Sequence, residues 1–386
     1  MPRTILHLDL DAFFCSVEEL HDPSLQGKAF AVGGRPDERG VVASCSYPAR
    51  VFGVHSAMPM SRALRLCPDL IVISHHHRDY AGMSRQVMAY LEALSPWVEQ
   101  ISIDEAFVDI TGLGDPLPVA RQLQAQVNRK LGLPCSLGVA TNKLVAKIAT
   151  EVGKKTGKRG QPPNALTIVP AGHEADFLAP LSVGELWGVG PKTAARLESF
   201  GIRSIGDLAS HPEADLVRWL GKNGRDLHRH AQGIAEARLV TEHEAKSISQ
   251  ETTFPHDIQE DQILERTLSE LSEQVGRRLR RAGLAGSTVR IKLRWPDFST
   301  LTRQVTLPQP TDQDDEIRSA ARQLFLAVHE RGRAVRLIGV GVSGLNQPLR
   351  QLGLWDENAE KRRRLQEAVD RLQERYGQQA IQRGKR

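Results

Sequence analysis

Cysteine is scarce. Cys15, Cys45, Cys67 and Cys135 are widely spaced and form no C-x-x-C pair. That excludes a disulfide framework and a cysteine zinc site, and suits free thiols in a reducing compartment. No apolar run approaches the roughly 20 residues that a membrane-spanning helix needs. A signal-peptide pattern is missing too, because the N-terminus reads straight into a strand. A cytoplasmic protein with no membrane partner is therefore expected. The phosphate-loop pattern G-x-x-x-x-G-K-[ST] does not occur, so the basic, glycine-rich stretch Gly153-Lys154-Lys155-Thr156-Gly157-Lys158-Arg159-Gly160 is not that motif. What remains is ordinary globular composition, with 40% hydrophobic and 25% charged residues. The 386 residues leave room for about two to four domains. A net charge of +5 permits a nucleic-acid partner without requiring one.

The most informative stretch is Ser102-Ile103-Asp104-Glu105-Ala106-Phe107, two adjacent carboxylates inside the apolar run Ile101 to Ile110. In one straight strand Asp104 and Glu105 point to opposite faces, so they share a site only where the chain turns, as at a hairpin tip. A third carboxylate stands near the N-terminus. In Thr4 to Asp11, Leu6, Leu8 and Leu10 alternate with His7 and Asp9. A strand ending in Asp9 beside the hairpin forms a cluster of three acidic groups. Such a cluster repels itself unless a cation compensates it, and hard oxygen ligands suit Mg²⁺. The plainer reading makes Asp9 and Asp11 helix caps and the acidic pair a solvated turn.

The chain then divides in order. Residues 1–11 and 77–163 read as one α/β sheet domain, with 12–76 inserted in it. The insertion opens with a helix from Asp11 to Leu20, for which Asp11 is the expected N-cap. Residues 164–232 form a helical domain. There Leu186-Trp187-Gly188-Val189-Gly190-Pro191-Lys192-Thr193 leads into an amphipathic helix, the pattern of a helix-hairpin-helix. Gly188 and Gly190 allow a tight turn whose amides, with Lys192, can hold a DNA phosphate. Residues 233–245 read as a polar linker. Residues 246–345 follow strand, helix, strand, strand, helix, strand, a split β-α-β order. In its second strand Val289, Ile291, Leu293 and Trp295 alternate with Arg290, Lys292 and Arg294, so a basic row on an open sheet face is expected to meet a phosphate backbone. Residues 346–386 hold a short peptide, Gln351, Leu352, Leu354 and Trp355, and a helix capped by Asp356. That helix has Leu365, Val369, Leu372 and Tyr376 on one face and Gly377 beyond it.

Four motifs occur together in collinear order. They are the strand ending Asp9-Leu10-Asp11-Ala-Phe-Phe14, Tyr47-Pro-Ala-Arg50, Ser102-Ile-Asp104-Glu105-Ala, and Asn142-Lys-x-x-Ala-Lys147-Ile-Ala. In this the chain resembles the Y-family translesion DNA polymerases, closest to their DinB branch, over roughly residues 4 to 355. The resemblance implies an α+β multidomain polymerase right hand. Its parts are a palm with a small fingers insertion, a helical thumb with a helix-hairpin-helix, and a split βαβ little finger. It further implies that Asp9, Asp104, Glu105 and the Leu10 carbonyl hold two Mg²⁺. Phe14 is then the steric gate against a ribose 2′-OH, and Tyr47, Arg50 and Lys154 hold the incoming triphosphate. Gln351 to Trp355 resembles a peptide that binds the sliding clamp (β subunit). The loop after Lys154 departs from the family's usual Lys-Pro-Asn-Gly. The expected activity is low-fidelity, template-directed DNA synthesis on primer-template DNA from dNTPs, without proofreading, by a monomer. The rivals are a non-catalytic adaptor of the same shape, a palm-fold nucleotidyl cyclase, and the other bacterial translesion branch.

Overall fold

The computed structural model describes residues 2–242, 244–347 and 357–377. The chain forms two compact units, Met1–His243 and Glu244–Arg386. The first begins with β1 (Ile5–Leu10), α1 (Phe13–His21), β2 (Phe30–Gly33), β3 (Val42–Cys45), α2 (Tyr47–Val51), α3 (Met60–Leu66) and β4 (Ile71–Ile73). It continues with α4 (His77–Leu94), β5 (Val98–Gln100), β6 (Glu105–Asp109), α5 (Pro116–Leu131), β7 (Cys135–Ala140), α6 (Lys143–Lys155) and β8 (Leu166–Ile168). Five helices close the unit: α7 (Glu174–Leu178), α8 (Pro191–Ser199), α9 (Ile205–Ser210), α10 (Glu213–Leu220) and α11 (Lys222–Ala231).

The main sheet has the order β5-β6-β1-β7-β8, so β1 lies at its centre. Leu6, Leu8 and Leu10 point to one face and pack with Val87, Leu91, Leu123 and Val127 of α4 and α5. That packing removes several large apolar side chains from water, each worth about 1.5–3 kcal/mol when fully buried. Ile5, His7 and Asp9 point to the other face, which α6 covers. Gly138 of β7 makes this close cover possible, because a Cβ there would stand 2.1 Å from the Ala146 carbonyl oxygen. The inserted segment builds its own small sheet, β3-β2-β4, around Ala31, Val42, Cys45, Met60 and Ala63. All four cysteines are buried free thiols.

Two local expectations change. Asp11 does not cap α1. The N-cap is Ala12, in the left-handed region at φ 48° and with no side-chain cap bond. Asp11 is buried and accepts from the Ser136 hydroxyl and the Asn164 amide, so it braces β1 against β7 and β8. The segment after α11 is not a free linker throughout. Asn142 donates to the Gly233 carbonyl at 2.9 Å, and the Val240 amide donates to Glu99 at 2.9 Å.

The second unit runs β9 (Ser247–Ile258), α12 (Asp261–Arg281), β10 (Ala285–Arg294), β11 (Thr300–Thr311), α13 (Asp314–Leu326), β12 (Val335–Asn346) and α14 (Glu357–Tyr376). This is the split β-α-β order, and its sheet is β11-β10-β12-β9. Val289, Ile291, Leu293 and Trp295 are buried with Leu264, Leu268 and Phe325 of the two helices. The tail helix α14 leaves much of its apolar stripe exposed. Leu365 and Tyr376 are 66% and 62% exposed, so the stripe faces outward. The helix docks through charge instead: Asp370 takes Arg280 bidentately at 2.6 and 3.1 Å, and Glu374 takes Arg281 at 2.8 Å. Gly377 ends it at φ 92°, a conformation that favours glycine. Among the described residues no helix is long and apolar enough to cross a membrane.

Candidate active site

The acidic stretch is a hairpin tip. β5 and β6 pair antiparallel, and the Ile101 amide donates to the Glu105 carbonyl at 3.0 Å. Residues 101–104 make the turn, so Asp104 leaves the sheet just before Glu105 enters it. Ser102 fixes the turn by donating its hydroxyl to Asp104 at 2.5 Å. On the neighbouring strand Asp9 is the register partner of Glu105. The Leu10 amide donates to the Asp104 carbonyl at 3.0 Å. Directly paired residues of antiparallel strands share a face. Asp9, Glu105, His7, Phe107 and Glu99 therefore all lie beneath α6.

Helix α6 answers that acidic face with lysines. Asn142 caps it by accepting from the Val145 amide at 3.1 Å. Lys143, Lys147 and Lys154 then fall on one side at helical spacing. Lys143 pairs with Glu99 at 2.7 Å, Lys147 with Glu105, and Lys154 with Asp9 at 2.7 Å. His7 sits between them, wholly buried, with Nε2 2.7 Å from Glu105 and Nδ1 2.8 Å from the Thr150 hydroxyl. Burial pushes the His7 imidazole below its ordinary value, which favours the neutral ring. The neutral ring donates from Nε2 to Glu105 when Nδ1 takes the Thr150 hydroxyl proton, a tautomer assigned from its partners.

These partners divide the carboxylates. Burial pushes Asp9 up to about 6, against the pull of Lys154. Burial also acts to raise Glu105, but hydrogen bonds from His7 and Lys147 outweigh it and hold the group at about 2. Lys154 is raised above its ordinary value: burial would lower it, and Asp9 and Glu151 outweigh that.

A cavity of about 140 Å³ opens beside Asp9. Asp9, Leu10, Asp104, Phe14, Tyr47, Arg50 and Lys154 line it, while Glu105 does not. The Glu105 carboxylate is turned away to His7 and Lys147. Among the described residues no three His, Cys, Asp or Glu side chains stand close enough to hold a metal ion. The donor types still fit Mg²⁺: Asp9, Asp104 and Leu10 line the cavity, and Glu105 is the register partner of Asp9.

The walls of the cavity are held in place. The Phe14 ring stacks on Tyr80, with centroids 4.3 Å apart and planes at 17°. Tyr80 is wholly buried and donates its hydroxyl to Glu18, which also meets His76 Nδ1 at 2.9 Å. Arg50 lies over the Tyr47 ring at 4.4 Å and donates to the Cys45 carbonyl at 3.3 Å.

None of the expected nucleic-acid residues lines this cavity. Gly188 adopts φ 97°, and nothing stands within 4 Å of a Cβ at Gly188 or Gly190. Gly190 is the N-cap of α8 and offers no side chain to its first amides, while Lys192 is exposed. Arg290, Lys292 and Arg294 face away from the second unit's core. Their register partners on β12 include Gly339 and Gly341, and at Gly341 the Arg290 guanidinium and Ser249 fill the space a Cβ would take. Lys292 is engaged by Glu251 at 2.8 Å and Arg294 by Thr300 at 3.0 Å. The proposed clamp peptide, Gln351, Leu352, Leu354 and Trp355, lies outside the described residues.

Sequence reasoning gave no role to Lys147, His7 or the Glu99–Lys143 pair. The available signal was the spacing of Lys143, Lys147 and Lys154 along one capped helix. Nothing in the sequence sets Tyr80 under Phe14, since the two stand 66 positions apart.

Three family models match in chain order: the impB/mucB/samB family at residues 8–151, the HHH motif of that family at 172–202, and its C-terminal domain at 245–354. A DNA polymerase IV of Dehalococcoides mccartyi is 40% identical across 99% of this chain and 97% of its own length. One from Streptomyces coelicolor is 46% identical across 89% of this chain and 71% of its own. Among solved structures, a Y-family DNA polymerase chimera of Dbh and Dpo4 is 25% identical, with a TM-score of 0.77 over 88% of this chain and 98% of its own. An insertion ternary complex of Dbh DNA polymerase is also 25% identical, with a TM-score of 0.62 over the same shares. With the models matched in order and relatives aligned along nearly the whole sequence, the chain belongs to the impB/mucB/samB family, among the Y-family DNA-directed DNA polymerases.

Proposed function

We propose that the chain carries out low-fidelity, template-directed DNA synthesis past damaged template bases. It transfers a deoxynucleotide to a primer 3′-OH, without proofreading, and the sliding clamp recruits it. The observation that carries this reading is one cavity whose lining joins Asp9, Leu10 and Asp104 to Phe14, Tyr47, Arg50 and Lys154. Carboxylates and cationic side chains line the same cavity, with Lys154 directly on Asp9, and nucleotidyl transfer needs both kinds of group at one site.

Asp9, Asp104 and the Leu10 carbonyl would hold two Mg²⁺, joined by Glu105 if its carboxylate left His7 and Lys147 for the cavity. Bound there, the ions supply the charge that acidifies the primer hydroxyl and neutralises the leaving group. Arg50 and Lys154 bind phosphate oxygens through charge-assisted hydrogen bonds. Lys154 begins on Asp9, so it exchanges a carboxylate for phosphate as the nucleotide enters. Phe14 excludes the 2′ oxygen by volume, and the Tyr80 ring behind it prevents its retreat. Ala43, Ser44 and Ser56 form part of the cavity wall, and such small side chains press little on an irregular base pair. The open amides of α8 and the basic row of β10 bind the DNA backbone.

Primer extension with one dNTP at a time, on intact and lesion-bearing templates with Mg²⁺, tests the reading. Template-directed insertion with frequent misinsertion, continuing opposite the lesion, is expected. Insertion independent of the template base, or arrest at every lesion, overturns it.

A further inference from the structure

The basic turn after α6 takes no part in the chemistry above, yet it walls a second cavity of about 200 Å³ beside the first. The two cavities share Tyr47, Arg50 and Lys154. The outer one adds Lys158 and Arg159, and no acidic side chain lines it. Its walls are tied down. Arg159 donates to the Val51 carbonyl at 3.2 Å, which joins the turn to the end of α2. Gly157 packs so close to Pro163 that a Cβ would stand 2.8 Å from it. Lys155 is drawn off to Glu185 at 2.5 Å, whereas Lys158 is exposed and has no ion-pair partner among the described residues. From the carboxylates outward, the order is therefore Asp9 and Asp104, then Arg50 and Lys154, then Lys158 and Arg159.

A graded row of cations leading away from a reacting phosphate suits a small polyanion that must leave. We propose that the outer cavity is a subsite for the pyrophosphate released at each turnover, a proposal that rests on the polymerase reading. In the transfer the primer 3′ oxygen bonds to the α-phosphorus. The bond from that phosphorus to the bridging oxygen breaks, its electron pair leaves with pyrophosphate, and the hydroxyl proton passes to water. The pyrophosphate starts on Arg50 and Lys154. It moves outward onto Lys158 and Arg159, which line the same outer cavity as Arg50 and Lys154. Lys154 is then free to return to Asp9.

The test compares the unsubstituted chain with Lys158→Ala and with the double variant Lys158→Ala/Arg159→Ala. Inhibition by inorganic pyrophosphate and the rate of pyrophosphorolysis are measured beside the dNTP KM and the single-turnover insertion rate. In the double variant the pyrophosphate inhibition constant should rise about tenfold, as expected for lost charge-assisted bonds. Lys158→Ala alone should give part of that rise, pyrophosphorolysis should slow, and the dNTP KM should hold. Unchanged pyrophosphate inhibition with normal insertion overturns the subsite and leaves the polymerase reading standing. A dNTP KM that rises in step also overturns it, because the cations then serve the incoming triphosphate. Failure of the unsubstituted chain to insert any dNTP overturns both.

Discussion

Sugar selection should depend on Tyr80 as well as on Phe14. The two rings stack at 4.3 Å, and Tyr80 is wholly buried with its hydroxyl on Glu18. Phe14 cannot yield to a 2′-OH unless that stack opens. A stacked aromatic pair contributes about 0.5–1.5 kcal/mol beyond its buried area, which converts to about 2- to 13-fold in a rate ratio. Tyr80→Leu should therefore lower the preference for dNTP over rNTP by that factor. Phe14→Val removes the obstructing ring itself and should lower it further. Adding Tyr80→Leu to Phe14→Val should change little, because the two act as one unit. Tyr80→Phe keeps the ring face and should keep the preference, while losing about 1.5–3 kcal/mol of stability with the bond to Glu18. The assay is single-nucleotide insertion, read as kcat/KM for dNTP over rNTP on one primer-template. Unchanged selectivity in Tyr80→Leu would refute the reasoning. So would an equal loss in Tyr80→Phe, which would move the effect from the stack to the hydroxyl.

Three further outcomes follow from particular contacts. Lys154→Met should raise the dNTP KM about 10- to 100-fold, the loss of one bond between charged groups, and an unchanged KM removes Lys154 from the triphosphate. Arg280→Met strips the partner from Asp370, and hydrogen exchange across 357–376 should accelerate; protection equal to that of the unsubstituted chain would mean that other contacts hold α14. Deleting Gln351 to Trp355 should abolish stimulation by the clamp and spare distributive synthesis, whereas equal loss of both points to a packing role for the peptide.

What was readable in the sequence was whatever breaks a local pattern. Asp9, Asp104 and Glu105 stand out because each interrupts apolar strand material, and the turn at 101–104 was the way for adjacent carboxylates to share a site. The second unit's element order followed from alternation in β10 and the helical face of α12. The unread parts are set by long-range register. Asp11 looked like a helix cap, yet its partners Ser136 and Asn164 lie far along the chain. The lysines of α6 match Glu99, Glu105 and Asp9 only once the helix lies over the sheet at Gly138. The apolar stripe of α14 was legible as one face, but not that Arg280 and Arg281 take Asp370 and Glu374 while Leu365 and Tyr376 stay exposed.

The most direct test of the central claim is primer extension in Mg²⁺ by Asp104→Ala, at DNA concentrations that give equal occupancy of variant and unsubstituted chain. Extension falling to background with DNA affinity retained is the expected result. Extension near the unsubstituted rate would take Asp104 out of the chemistry and the acidic cavity with it.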